Sequence, residues 1–207
     1  MIEIDDLERR LRSDVPDASD PPDLATAAAA AGLLDVAYAT LDSPVGPLLL
    51  AATPAGLVRI AYLDNDEQPQ NAVLADMARR VSPRVLAAPR RLDTPRRELD
   101  EYFAGRRDRF DLPLDWRLMT AFGRRVLEAT AAIPYGSVST YGDVAAHAGS
   151  PRGSRAAGNS LGANPLPIVL PCHRVVHSGG GLGGYTGGLA RKRTLLAIES
   201  GQPVRSA

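Results

Sequence analysis

One cysteine in 207 residues, Cys172, rules out an internal disulfide and a multi-cysteine zinc site. The residue is then either a packing side chain or a reactive thiol, and free cysteine is usually the former. No apolar run reaches membrane-spanning length, and the first residues are acidic where a signal peptide would be basic. A cytoplasmic protein without a membrane partner is therefore expected. Net charge is zero, which argues neither for nor against a polyanionic partner. Its distribution says more: residues 1–40 carry nine Asp/Glu against three Arg, whereas residues 117–207 carry ten Arg/Lys against three Asp/Glu. A basic back half favours phosphate contacts. Of the 24 basic residues, 23 are arginine, a bias that genomic composition alone can produce.

The chain is centred on Ile168-Val-Leu-Pro-Cys-His-Arg-Val-Val176. Apolar positions on both sides of the polar triplet predict two short buried extended segments, with Cys172 at the break between them. A thiol titrating at about 8.5 is mostly protonated at neutral pH, so a nucleophilic cysteine needs a base or a positive field nearby. His173 and Arg174 are the neighbours able to supply these. A base in turn needs an orienting acceptor, and Glu199 is the only carboxylate after Asp143.

Residues 1–35 read as an acidic, flexible extension with a short helix near Ala25 to Leu34. A domain over 36–115 opens with three short strands, Val36–Thr40, Pro47–Ala52 and Leu57–Tyr62, in an antiparallel meander. A helix is expected around Ala72 to Val81, followed by a loop. Another is expected over Pro95–Phe103, with Thr94 as N-cap, Gly105 as its stop and a buried face of Leu99, Tyr102 and Phe103; a strand follows near Phe110.

A second domain, 116–207, starts with a helix through Phe122 and Ala129. Ser139-Thr-Tyr-Gly-Asp143 has the hydroxyls and acid of a helix N-terminus. A short helix through His147, the breakers Gly149 to Gly153 and a second helix from Ser154 to about Ala163 outline a helix-turn-helix. His147 is assigned a solvated or capping role and His177 none. Gly179-x-Gly181-x-x-Gly184 formally fits a dinucleotide fingerprint, but the stretch leads into a terminal helix without the strand and acid that fingerprint requires.

Pro171-Cys-His-Arg-Val175, preceded by Asn164-Pro165 and followed by Gly184-Tyr-Thr-Gly-Gly-Leu189, resembles the active-site region of the O6-alkylguanine-DNA alkyltransferases, also called methylated-DNA-protein-cysteine methyltransferases. The resemblance implies an α+β protein, with an N-terminal antiparallel sheet and helix of ribonuclease H-like type and a C-terminal helical domain like a winged helix-turn-helix. It implies direct transfer of an alkyl group from the 6-oxygen of guanine, or the 4-oxygen of thymine, to Cys172. His173, Glu199 and Tyr141 would share in catalysis. Tyr141, Arg155, Ala156, Gly158, Asn159 and Ser160 would meet DNA, with Arg155 filling the space of an extruded base. Tyr185, Thr186 and Val175 would line the base pocket, and Asn164 would couple the recognition helix to the thiol. The implied partner is double-stranded DNA containing O6-alkylguanine, bound by a monomer without a cofactor. Some relatives hold zinc in the first domain, but no Cys or His precedes His147, so no metal is expected. Leu127, Asn159, Gly162 and Thr186 depart from the family pattern.

Two rival readings cover parts of the pattern. A sensor of alkylated DNA that does not repair it would lack the cysteine that this chain keeps. A thiol hydrolase using Cys172, His173 and Glu199 would need adjacent Cys and His to face each other, and would leave the arginine-led helix unexplained.

Overall fold

A computed structural model describes residues 24–63 and 70–201. Most of the acidic extension, residues 1–23, lies outside the described residues. Its described part is helix α1, Leu24–Ala30, whose Ala25, Ala28 and Ala29 rest on Leu34, Ala37 and Ala88.

The expected meander is present as β1 (Val36–Leu41), β2 (Leu48–Thr53) and β3 (Gly56–Tyr62), paired antiparallel in sequence order. Strand β2 is apolar without alternation because both of its faces are covered. Leu48 and Leu50 face one core, while Leu49 and Ala51 face the other beneath Val73 and Met77 of α2 (Gln70–Arg80). The segment after α2 is not the expected loop. It adds β4 (Val85–Ala87) parallel to β1, giving the order β3-β2-β1-β4. A parallel neighbour requires a crossover, which α2 provides; three residues are too few to show a strand period in sequence.

Helix α3 (Asp93–Phe103) starts before the expected Thr94 cap, because a 3-10 turn over Pro89–Leu92 runs directly into it and no side-chain cap is used. Gly105 ends it at φ 68°. Leu99 and Tyr102 are buried as expected, Phe103 only partly, and Glu98 is buried as well. Glu98 accepts the Asp111 N–H at 3.0 Å and pairs with Arg107 at 3.3 Å. That loop holds no strand near Phe110. The extended contact falls later, where Leu57 bridges Leu114.

In the second half, α4 (Ala121–Ala131) is capped by Thr120 and buries Val126 and Leu127. The two-residue strand β5 (Ser139–Thr140) leads into α5 (Tyr141–His147) through a capping box made by Thr140 and Asp143. Helix α6 (Ser154–Gly162) packs against α4 and α5, and β6 (Val175–Val176) lies parallel to β5. The glycine-rich stretch is a loop leading to α7 (Leu189–Glu199).

Only the second of the two extended segments expected around Cys172 forms, as β6. Leu166–Leu170 is a buried turn, closed by Leu170 N–H on Leu166 O at 2.8 Å, with Ile168 at φ 75°. Asn164 is the reason: its side chain accepts from Leu166 N–H at 2.9 Å and donates to Leu170 O at 2.8 Å, so the chain bends around it. The sheet supports this turn from outside, as Ile60 N–H of β3 donates to Pro165 O at 2.8 Å.

Candidate active site

A cleft of about 790 Å³ lies among α5, α6 and the glycine-rich loop. Tyr141, Arg155, Gly158, Asn159, Cys172, Tyr185 and Thr186 line it, so most of the expected site residues converge. Helix α6 buries Ala157 and Leu161 inward, while Arg155, Ala156 and Asn159 are exposed. Ala156, Ser160 and Val175 do not line the cleft. The Ser160 hydroxyl turns back to Ala156 O at 3.0 Å, and Val175 is fully buried.

Cys172 reaches the cleft although only 6% of it is exposed. It opens a 3-10 turn, Cys172–Arg174, that sends the next two side chains inward. Burial pushes the thiol up to about 11, against the pull of a hydrogen bond from Asn164 Nδ2 at 3.2 Å and of the Lys192 charge. Asn164 therefore holds the turn and touches the sulfur directly.

Behind the thiol, His173 Nε2 lies 2.7 Å from Glu199 Oε1. Burial favours an un-ionised carboxyl at Glu199, but the hydrogen bonds from His173 and Arg174 prevail and hold it down at about 2. A carboxylate can only accept, so the His173 proton sits on Nε2. Burial lowers the His173 pKa despite Glu199, which keeps the ring neutral. Its Nδ1 is buried with no hydrogen-bond partner among the described residues, leaving a lone pair free to take a proton.

Arg174 has a different task from the expected one. Its Nε donates to Glu199 Oε2 at 2.9 Å and its Nη1 to Ile133 O at 2.5 Å, so its charge neutralises Glu199. The cation that acts on Cys172 is Lys192, the single lysine of the chain, fully buried on α7. Its Nζ donates to Val175 O at 2.6 Å and also to Leu182 O. A lone lysine among arginines was the available signal. Tyr102 was anticipated only as core, yet its hydroxyl donates to Glu199 Oε1 at 2.8 Å; nothing local in the sequence marks that role.

Tyr141 lines the cleft beside α6, where a Cβ on Gly158 would stand 3.7 Å from its ring. A Cβ on Gly183 would come within 2.6 Å of the Tyr141 hydroxyl, and Gly183 has φ 71°, so glycine is required there on both counts. Burial raises the Tyr141 pKa, keeping the phenol a donor. Thr186 ties the loop to α6 through Gly162 O at 2.7 Å. His177 lies against Tyr141, centroids 5.2 Å apart, and lines the cleft; His147 Nδ1 sits 2.7 Å from Asp143 O. Among the described residues no cluster of His, Cys, Asp and Glu could hold a metal ion, and no helix could cross a membrane.

Residues 36–116 match the ribonuclease-like domain of 6-O-methylguanine DNA methyltransferase, and residues 121–201 match its DNA binding domain. The chain belongs to the methylated-DNA-protein-cysteine methyltransferase family. It is 40% identical to the methyltransferase of Mycolicibacterium paratuberculosis over 164 residues, 79% of this chain and 92% of that one. The constitutive methyltransferase of Bacillus subtilis is 35% identical over 163 residues, covering 78% and 94%. The crystal structure of Mycobacterium tuberculosis OGT in complex with DNA superposes with a TM-score of 0.69 at 37% identity, over 81% of this chain and 95% of that one. Both halves of the α+β fold are thus those of this methyltransferase family.

Proposed function

We propose that the protein repairs DNA by moving the alkyl group of O6-alkylguanine onto Cys172, once per molecule. The supporting observation is the position of that thiol: it lines a cleft rimmed by an arginine-led helix and is backed by the His173–Glu199 pair. A guanine alkylated at its 6-oxygen is out of reach inside a duplex, so the base is extruded at a cost of about a few kcal/mol in stacking. The exposed Arg155 takes its place in the stack, and the small face of α6 allows close approach to the groove.

In the cleft, the Cys172 sulfur attacks the alkyl carbon as the carbon–oxygen bond breaks. His173 Nδ1 takes the thiol proton through a water, and the Glu199 carboxylate stabilises the imidazolium that forms. Tyr141 hydrogen-bonds the departing base, and the proton released by the thiol ends on guanine. A thioether has no bond that water can readily hydrolyse, so the protein is consumed. The chemistry belongs to residues 116–207, supported by 36–115, with 1–35 outside the reaction. The protein works as a monomer in the cytoplasm. Titrating lesion duplex against a fixed amount of protein tests the stoichiometry: restored guanine should plateau at one per protein molecule, and continued turnover would refute the reading.

A further inference from the structure

Tyr62, the last residue of β3, belongs to the sheet, yet its hydroxyl lies 2.6 Å from that of Tyr185 in the cleft wall. The two rings meet edge to face with centroids 6.2 Å apart. The Arg191 guanidinium lies 4.6 Å from the Tyr62 ring centroid, and the same group donates to Val45 O at 2.7 Å and Gly187 O at 3.1 Å. The packing leaves no slack: a Cβ on Gly187 would stand 2.5 Å from the Tyr62 ring and 2.9 Å from that of Tyr185. On its other side Tyr185 turns toward the His173 ring, centroids 6.5 Å apart. Tyr62 is 8% exposed and does not line the cleft, so anything it does there it does through Tyr185.

A pocket wall made of one aromatic ring on a glycine-rich loop would yield to a bulky substituent unless something held it from behind. Tyr62 supplies that backing from a β-strand, a stiffer support than the loop. We propose that Tyr62 is a positioning residue of the base pocket which, acting through Tyr185, fixes the wall near Cys172 and sets the upper size of the alkyl group transferred. The proposal rests on the alkyl-transfer reading given above.

The test compares single-turnover transfer from duplexes carrying O6-methylguanine or O6-butylguanine, read by intact mass. The proteins are the parent, Tyr62→Phe, Tyr62→Leu, Tyr185→Phe and the double Tyr62→Phe/Tyr185→Phe variant, each checked for folding by circular dichroism. Tyr62→Phe should slow methyl transfer at saturating duplex about five- to tenfold, with the half-saturating duplex concentration unchanged. Tyr62→Leu, which opens space behind Tyr185, should raise the butyl-to-methyl rate ratio by about threefold or more. In the Tyr185→Phe background, Tyr62→Phe should cost less than about twofold. An unchanged ratio in Tyr62→Leu, or an undiminished Tyr62→Phe effect without the Tyr185 hydroxyl, overturns the proposal. If Tyr62→Leu does not fold, the Phe cycle decides alone. A parent that gains no alkyl group overturns the transfer reading itself, whereas a working parent with unaltered selectivity overturns only the role of Tyr62.

Discussion

Tyr102 Oη lies 2.8 Å from Glu199 Oε1, the same oxygen that accepts from His173. A helix of the sheet domain thereby reaches the carboxylate paired with His173, which the proposed reaction uses to orient its base. Tyr102→Phe keeps the ring packed against Phe103, Phe110 and Tyr135 and removes only that donor. Single-turnover methyl transfer should slow by about three- to tenfold, less than the full worth of a hydrogen bond to a charged group because the carboxylate keeps its bonds from His173 and Arg174. Affinity for the duplex, measured by fluorescence anisotropy, should not move.

Glu199 also neutralises Arg174, so it matters for stability as well as for rate. Glu199→Gln leaves a buried guanidinium without its counter-charge and should cost about 3 kcal/mol by urea unfolding. Transfer should fall by about a hundredfold or more as His173 loses its orienting acceptor. The folded carboxyl ionises near 2, below its ordinary value of 4.5. Its stabilisation is therefore complete above that ordinary value and is lost as pH falls through about 2. The urea midpoint of the parent should drop over that interval more steeply than that of Glu199→Gln.

What could be read from the sequence was local. The Thr140–Asp143 capping box and the short helix α6 are each set by residues close in sequence, and both appear where expected. What escaped was long-range or very short. Tyr102 and Glu199 are separated by 97 positions and Tyr62 and Tyr185 by 123, so no window along the chain joins them. Strand β4 has three residues, below the length at which alternation shows. The Ile168 turn carries an apolar run that looks like a strand, because burial rather than period governs its composition.

Burial holds the Cys172 thiol up at about 11, so the free protein is a poor nucleophile at neutral pH. Labelling by iodoacetamide should be slow at neutral pH and accelerate as pH rises toward that value. Asn164→Asp removes the donor 3.2 Å from the sulfur and places a carboxylate there. Labelling at fixed pH should slow by about tenfold for each pKa unit gained by the thiol.

On the proposed reading Arg155 serves DNA binding and not the chemistry: it lines the cleft from an exposed position on α6. Arg155→Ala should slow repair of a lesion held in duplex by about tenfold or more, because the extruded base is no longer replaced in the stack. Iodoacetamide labelling of Cys172 should be unchanged. A parallel loss of both would place Arg155 in the fold instead.

The central claim is that Cys172 itself receives the alkyl group. The direct measurement is intact-protein and peptide mass spectrometry after incubation with a duplex carrying O6-methylguanine, beside Cys172→Ala. The account predicts one added methyl, located on Cys172, with the lesion restored to guanine and no change in the variant. Lesion binding with no gain in mass, or a methyl found on another residue, would contradict it.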